Sequence, residues 1–382
     1  MNDNKKKKAL RSERAFDYFI GAGCDCFAGL MNVNIKNVFL DPGVGIEIHQ
    51  KGRDLVQSLL GEDIPIIMPI CTPVIKYGHA NCLGVDLKFP DAGQVGIKSH
   101  FTEYEQAIEF MGEKVDFASA GMTPFYLDYY DRMKKAFPDE KIHWGWQWEG
   151  PVTTAWELAG DRFMYDLYDQ PVLLKEFMCA VTESIVDYCE FFREVEGTDV
   201  LDPEPDHGRV CDDIAAMLPP EMWPAYVLPY WRMYFEGPVS EAKVHCEDMK
   251  SKHLKYLDEA GIVDYDSGIS PKLNPKMIRE NTSAPFGWRL GSFHYDSMTA
   301  RDVSDFVFQA VADGASYVFT FMDAIMCKPE TLAKVRVFHH AAEKAKQMLQ
   351  SGKTLDDVAD MVSPDGRRKF WDHWPSLSVS RT

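Results

Sequence analysis

The chain has 382 residues, of which 46% are apolar, and such a chain can bury the core of one barrel or of two ordinary domains. Lys and Arg total 41 against 59 Asp and Glu, and the net charge of -18 argues against nucleic acid and anionic membranes as partners. The basic residues 5–8 lack a following apolar core, and no apolar stretch reaches the roughly 20 residues of a bilayer span, so we expect a cytoplasmic protein.

Nine cysteines are scattered along the chain without a CxxC pair, which is not the pattern of a disulfide framework. We therefore expect free thiols. Cys71, Cys179 and Cys189 lie in apolar segments and are predicted to pack as small core residues. Cys246 and Cys327 have polar neighbours instead.

Neither an internal repeat nor a break in composition occurs before about residue 350. The sequence therefore predicts a single domain over residues 1–350 and a C-terminal extension over residues 351–382. The residues from Ser363 onward are expected to be irregular.

Short apolar runs alternate with longer helical patterns, which is typical of βα units. Eight runs qualify as strands, and a closed parallel barrel needs eight. They cover residues 64–71, 115–120, 142–148, 198–203, 242–246, 262–265, 286–290 and 316–320. The pattern predicts an α/β chain folded as a (β/α)8 TIM barrel with N-terminal and loop extensions, and a doubly wound open sheet is the alternative.

The clearest helix is predicted to begin at Asp169-Gln170-Pro171, where a cap residue precedes a first-turn proline. Five apolar residues then recur at three- and four-residue spacing, as on one face of a helix: Phe177, Val181, Ile185, Tyr188 and Phe192. Two further helices are predicted over 221–235 and 300–312.

Functional residues of a barrel collect where its strands end, so polar residues there are candidates. His79 and Asn81 follow the first run in a loop bounded by glycines, and contact with a ligand explains them more easily than packing does. His294, after the seventh run, is a further candidate for substrate binding.

Three tryptophans alternate with small or polar residues in the third run. If the polar set faces inward, Gln147 and Glu149 approach the cavity, whereas a register shifted by one would line it with indoles. Core packing is expected for at least two of the tryptophans. Trp148 and Glu149 are taken as candidate substrate-binding residues.

The fourth run ends in a dense group of carboxylates beside a histidine. Glu204, Asp206 and His207 are candidate catalytic residues, because such a group suits substrate polarisation, proton transfer or a second metal site. Asp212 and Asp213 lie close enough to the start of the next helix to cap it.

Two strand ends carry candidate metal ligands. Side chains alternate along a strand, so His245 and Glu247 are predicted to point together while Cys246 points away. Asp323, directly after the eighth run, is the predicted third ligand. The alternatives are a structural histidine beside a solvated acidic turn and, for Asp323, a helix cap. Cys246, Cys327 and Glu236 are left open as further ligands.

Three ordered stretches resemble the uroporphyrinogen decarboxylase superfamily. Residues 149–155 with 164–171 resemble its "GPFTLA … LMxDLYDDPE", and residues 211–230 resemble "GDD … LSPEMFxxFVLPY". Residues 243–247 with 257–261 resemble "ILHSCGN … LxEAGxD". The decarboxylase itself is disfavoured, because its arginine-rich "MRQAGR" segment has no counterpart here.

The corrinoid-dependent methyltransferases of that superfamily bind zinc through H-x-C after the fifth strand and a Cys after the eighth. Here His245 matches, Glu247 stands in place of the Cys, and Asp323 falls at or near the last Cys. The resemblance therefore implies zinc with oxygen-rich ligands, which leave the ion a stronger Lewis acid than thiolates do.

The segments "YGHANxLG" and "HxE" are similar to the first methyltransferases of anaerobic aryl-ether O-demethylases. This resemblance implies methyl transfer from a small methoxylated aromatic to the Co(I) of a separate corrinoid protein, which cycles between cob(I)alamin and methylcob(III)alamin. The alternatives are a corrinoid-to-thiol or corrinoid-to-tetrahydrofolate methyltransferase, a metal-free decarboxylase-like lyase, and a non-catalytic corrinoid- or porphyrin-binding chaperone. A homodimer is left open.

Overall fold

The structure, a computed structural model, describes residues 15–91, 93–99, 101, 103–197, 209–237 and 241–371. These residues divide into two compact units that alternate along the chain. Unit 1 comprises the described residues within 1–31, 51–68 and 245–382, and unit 2 comprises those within 32–50 and 69–244. The division into a domain over 1–350 and an extension stays a prediction.

The described strands are short. They are β1 (Asp17–Ala22), β2 (Ile70–Cys71), β3 (Asp86–Lys88), β4 (Gly96–Lys98), β5 (Ile142–His143), β6 (Val210–Cys211), β7 (Lys243–His245), β8 (Asp264–Asp266), β9 (Phe286–Arg289) and β10 (Tyr317–Met322).

The described helices range from four to 26 residues. They are α1 (Cys24–Leu30), α2 (Ile35–Leu40), α3 (Pro42–Leu60), α4 (Gly78–Cys82), α5 (Tyr104–Gly112), α6 (Thr123–Ala136), α7 (Pro151–Ala159), α8 (Arg162–Asp169), α9 (Pro171–Glu196), α10 (Trp223–Tyr226), α11 (Leu228–Glu236), α12 (Lys255–Glu259), α13 (Pro275–Asn281), α14 (His294–Ser297), α15 (Ala300–Ala312), α16 (Pro329–Gln350), α17 (Leu355–Ala359) and α18 (Pro364–Lys369). None of the helices in the described part of the chain combines the length and the apolar character that a bilayer span requires.

Unit 1 is built on parallel strands. β10 pairs with β1 on one side and with β9 on the other, and β9 also pairs with β8. The backbone N–H of Cys246, the residue after β7, donates to the carbonyl of Asp266 at the end of β8. Because neighbouring strands run in the same direction, the residues that follow β8, β9 and β10 emerge at one edge of this sheet.

Aromatic rings form a row along one face of β10. Phe319 stacks on Phe19 of β1 with the ring centroids 4.8 Å apart, and Phe321 meets both of these rings edge-on. A Cβ on Gly21 would lie only 2.6 Å from the ring of Phe321, so glycine is needed in β1 beside it. The row ends at Phe321, which is 41% exposed.

Unit 2 packs around aromatic residues on α6, α9 and the segment that contains β5. All five residues of the predicted stripe on α9 are buried, and the helix begins at the predicted Pro171, which confirms this prediction. Trp144 and Trp146 are fully buried, as expected for two of the three tryptophans. The Tyr188 hydroxyl of α9 donates to the carbonyl of Trp146 at 2.8 Å, which fixes the helix against the strand segment.

Several predicted elements are confirmed within small shifts of their ends. Strands lie in the runs 242–246, 262–265, 286–290 and 316–320, and the helix Ala300–Ala312 has the predicted bounds. The run 142–148 is strand only at Ile142–His143, with a single bridge at Trp146. All nine cysteines lie among the described residues and none of them forms a disulfide, as predicted. The run 198–203 lies outside the described residues.

Other predicted elements are wrong. The run 115–120 forms a turn, in which the carboxylate of Asp116 accepts from the Ser119 hydroxyl at 2.8 Å. The run 64–71 is strand only at Ile70–Cys71, and a single bridge involves Ile67, because prolines at 65 and 69 lack the N–H that a sheet ladder requires.

Two helical predictions also need correction. The helix predicted over 221–235 is split between α10 and α11 at Val227, two residues before Pro229, whose backbone cannot donate to the preceding turn. The segment after Ser363, expected to be irregular, begins with helix α18. Ser363 caps it by accepting from the Gly366 N–H, and Pro364 occupies the first turn.

Candidate metal and substrate site

The predicted pair of ligands lies at the end of β7 in unit 1. His245 is the last residue of β7, and its Nε2 atom lies 3.9 Å from the Oε1 atom of Glu247. Cys246 between them is fully buried. The structure therefore places the imidazole and the carboxylate together, as the alternation of side chains predicts.

Asp266, at the end of β8, orients the imidazole of His245. Its Oδ2 atom lies 3.0 Å from Nδ1 of His245, and its Oδ1 atom accepts from the Gly268 N–H at 2.9 Å. A carboxylate can only accept hydrogen bonds, so a neutral imidazole at this place carries its proton on Nδ1 and leaves the lone pair of Nε2 for a ligand. A carboxylate behind a histidine is the usual support of a metal-binding imidazole.

The turn after Asp266 holds Glu247 in place. The Ile269 N–H donates to Oε1 of Glu247 at 3.1 Å. Gly268 adopts a φ of +56°, and a Cβ at this position would overlap the carboxylate of Glu247. Asp248, directly after Glu247, also has a left-handed φ of 61°, and its carboxylate accepts from Lys272 at 3.1 Å. The turn thus needs glycine because the carboxylate lies against its backbone.

Arg289 ends β9, the strand between β8 and β10. Its guanidinium carbon lies 5.1 Å from the centroid of the Phe321 ring. Burial lowers the pKa of Arg289, and the negative charges of Asp266 and Glu247 oppose that shift. The guanidinium is therefore close enough to interact electrostatically with both carboxylates of the site.

Asp323 follows β10. Its side chain makes no capping hydrogen bond to the short helix that starts at Ala324. In the described part of the chain, the donor atoms of His245, Glu247 and Asp323 are not all within 4.8 Å of one another. The structure thus brings together two of the three predicted ligands, and ligation by Asp323 stays a prediction. Cys327 donates through its thiol to the backbone carbonyl of Asp323.

His294 begins α14, which follows β9 in unit 1. It is 5% exposed, and burial lowers its pKa to about 4, so the imidazole is neutral near pH 7. A Cβ on Gly291 would contact both Nδ1 of His294 and the side chain of Ile269. Contact of His294 with a substrate stays a prediction.

Two other predicted substrate-binding residues lie in unit 2 and have packing roles. His79 is fully buried, its Nε2 lies 2.9 Å from the Ser184 hydroxyl, and burial lowers its pKa to about 3. Asn81 accepts from the Met122 N–H at 2.7 Å and donates to the carbonyl of Val85 at 2.8 Å. Their contact with a substrate stays a prediction.

Trp148 and Glu149 lie close together in unit 2. The indole N–H of Trp148 donates to the Tyr234 hydroxyl at 3.1 Å. Glu149 is half-buried. Burial of Glu157 raises the pKa of that residue well above its usual range, and the negative charge of Glu149 adds to the shift. Their contact with a substrate stays a prediction.

The prediction that Asp212 caps the helix that follows it is wrong: it makes no side-chain cap there, and its carboxylate instead caps α7 of the preceding βα unit. It accepts from the N–H groups of Val152 and Thr153 in the first turn, and from the indole of Trp231 at 2.7 Å. Asp212 is fully buried and has this structural role. Glu204, Asp206 and His207, the predicted catalytic residues, lie outside the described residues.

Asp266, Arg289 and Phe321 are not among the residues predicted from the sequence. Each lies at the end of a predicted strand or directly after it, so the rule that selected His245 also applies to them. What the sequence lacks is the register that places Asp266 behind His245 and Arg289 over Phe321.

Comparison with known proteins supports the predicted fold and family. No curated protein matches the chain. Among solved structures, a methyltransferase from Methanosarcina mazei is similar, with a TM-score of 0.62 and 16% sequence identity over 90% of this chain and 98% of that chain. This likeness concerns the fold.

A family model described as uroporphyrinogen decarboxylase (URO-D) matches residues 69–280, more than half of the chain. The match contains all three stretches on which the predicted resemblance rests. The fold class is therefore that of a TIM-barrel α/β protein, as predicted. By this match the chain belongs to the uroporphyrinogen decarboxylase family.

Proposed function

We propose that this protein is a methyltransferase that cleaves an aryl methyl ether and transfers the methyl group to the Co(I) of a separate corrinoid protein. The observation that carries the proposal is the pair of His245 and Glu247 at the end of β7, with Asp266 behind the imidazole. The family and the fold shared with a methyltransferase support it at a coarser level.

The two donors fit a zinc ion. Imidazole nitrogen and carboxylate oxygen are both zinc ligands, and tetrahedral bonds of about 2.0–2.2 Å place two such donors roughly 3.4 Å apart. Nε2 and Oε1 are 3.9 Å apart, so a small movement brings them to that separation. We propose Asp323 as the third ligand. Zinc bound here supplies a Lewis acid that stabilises negative charge on the departing phenolate oxygen.

The chain's own residues position the groups that react. Asp266 keeps the proton on Nδ1 of His245, and the Ile269 N–H fixes Glu247. The bond between methyl carbon and ether oxygen breaks, the carbon joins cobalt, and the oxygen keeps the electron pair and takes a proton. We assign that proton transfer to Glu204, Asp206 or His207, and substrate contact to His79, Asn81, Trp148, Glu149 and His294.

The test combines metal analysis with a screen of methoxylated aromatics. We expect about one zinc per chain in the purified protein, and methylation of a Co(I) corrinoid protein with at least one methoxylated aromatic, followed by cobalt absorbance. His245→Ala should lose both zinc and methyl transfer while its circular dichroism is unchanged. His340→Ala, an exposed histidine on α16, is the matched control. Stoichiometric zinc in His245→Ala would contradict the assignment of the ligand, and a purified protein that holds no metal and transfers no methyl group would favour the metal-free lyase.

A further inference from the structure

Arg289 lies between two strand ends of unit 1, one of which carries an acidic side chain and the other an aromatic ring. β8 on one side ends in Asp266, which supports His245, and β10 on the other side presents the exposed ring of Phe321. The guanidinium lies over this ring at 5.1 Å. A planar cation on an aromatic face keeps its edge, and therefore its N–H donors, available to other groups.

The donors of Arg289 are unused among the described residues. Its Nε atom is buried and makes no hydrogen bond there. Arg336 of the same unit, by contrast, donates to the carbonyls of Leu59 and Leu60. A partly buried guanidinium without such bonds is costly, because desolvation is not offset by a partner.

The two nearby carboxylates are already engaged. Asp266 accepts from Gly268 and from His245, and Oε1 of Glu247 accepts from Ile269. Their charges act on Arg289 through space, without a hydrogen bond to it in the described residues. The guanidinium edge is thus suited to an additional anion, and a carboxylate matches its fork of donors.

We propose that Arg289 binds a carboxylate of the substrate, so that the methyl ether is carried by an aromatic acid. This proposal rests on the proposed function and adds a specificity-determining residue to it. A protein with a net charge of -18 repels anions in general, so an acidic substrate requires a local cation of this kind. The exposed Phe321 ring beside the guanidinium offers apolar surface to the aromatic part of the same molecule.

A purely electrostatic role is the competing explanation, in which Arg289 only balances Asp266 and Glu247. The two roles differ in what a lysine can replace. Lysine keeps the charge but loses the planar fork, so Arg289→Lys should preserve charge balance and lose bidentate binding. Arg289→Met removes both.

Binding is measured by calorimetry in the absence of corrinoid protein, with 3- and 4-methoxybenzoate and the matching methoxybenzyl alcohols as probes. We expect the wild type to bind the preferred acid at least about tenfold more tightly than its alcohol, as one charge-assisted pair provides. Arg289→Lys and Arg289→Met should weaken acid binding about tenfold to hundredfold and leave alcohol binding within about twofold. Arg132→Met, a surface arginine paired with Asp128 on α6, is the matched control.

Zinc content is determined on every preparation, so that a change in metal loading is not mistaken for a change in recognition. Equal affinity for acid and alcohol, unaltered in the variants, overturns the role of Arg289 but leaves ether cleavage intact. Full acid affinity in Arg289→Lys also overturns it, in favour of charge balance. Acid-selective binding lost in both variants supports it even if no methoxylated aromatic donates methyl, an outcome that rejects the proposed reaction alone.

Discussion

Nδ1 of His245 hydrogen-bonds to Asp266, which leaves Nε2 for the proposed zinc ion. Asp266 therefore acts on the metal only through the imidazole, as a positioning residue. Asp266→Asn should weaken zinc binding about tenfold to hundredfold, because the amide offers one acceptor where His245 and Gly268 now use two. Competition with a chromophoric chelator measures the affinity. Asp248→Asn is the control, since this half-exposed acid bonds Lys272 and asparagine tolerates its left-handed backbone. Equal affinity in wild type and Asp266→Asn would contradict the positioning role.

Glu247 sets the chemistry of the proposed site through the hardness of its oxygen. Glu247→Cys should still bind zinc, and more tightly, because thiolate is a good ligand at this position. It should nevertheless lose ether cleavage, because a thiolate donates more charge and weakens the stabilisation of the phenolate. Metal content and single-turnover methyl transfer to Co(I) are measured on one preparation. Full activity in the zinc-loaded variant would make ligand hardness irrelevant.

Residues of this site differ in how far the sequence can predict them. His245 and Glu247 follow from alternation within one strand, which is a local property. Asp266 and Arg289 act through neighbouring strands, and their partners depend on the pairing of β8 with β9 and of β9 with β10. No pattern within a single segment encodes that pairing, so these two residues were found only in the structure.

Helix α7 depends on a carboxylate far from it in sequence. The first N–H groups of a helix need acceptors, and Asp212, after β6, accepts from those of Val152 and Thr153. Gly150 allows this approach, because a Cβ there would lie 2.6 Å from that of Asp212. The cap therefore ties the start of α7 to the end of β6.

Burial raises the pKa of Asp212 from 3.8 to about 6, against the effect of its hydrogen bonds. Between these values the folded protein holds a proton on Asp212 that the unfolded chain has released. The contribution of this group to the free energy of unfolding is therefore fully present below about pH 4 and is lost as the pH rises through 6. The slope is about 1.4 kcal/mol per pH unit. Asp212→Asn lacks this titration. Its urea midpoint, compared with the wild type from pH 4 to 7, should show the wild-type advantage shrinking with rising pH. An advantage that is constant across this range would contradict the raised pKa.

A helix or strand could be predicted from the sequence where its buried residues recur at a regular spacing. The stripe on α9 is long and regular, and its start carries a proline, so both its existence and its first residue could be read from the sequence. β1 was missed, because a short continuous apolar run does not distinguish a strand from a buried helix. The run 115–120 failed because Asp116 bonds its own neighbours, a local alternative to a sheet ladder.

At the scale of the whole molecule, charge restricts the kinds of partner. With a net charge of -18, we expect the corrinoid protein to dock through specific contacts, and we expect no affinity for polyanions. Retention on heparin and co-sedimentation with anionic vesicles, both at about 0.15 M salt, should be negligible. Tight binding in either assay would contradict this prediction.

The turn that carries Gly268 has an evolutionary consequence. Glu247 can occupy its position only because residue 268 has no side chain, since a Cβ there would overlap both the carboxylate and Cγ of Glu247. The sulfur of a cysteine at 247 would stand in the place of that Cγ, so the glycine is needed for either ligand. The left-handed φ of +56° is a second reason, because it disfavours any side chain at 268. Among relatives, we expect glycine at 268 whether glutamate or cysteine stands at 247. An exchange of ligand at 247 then needs only one substitution, because the steric room is already present.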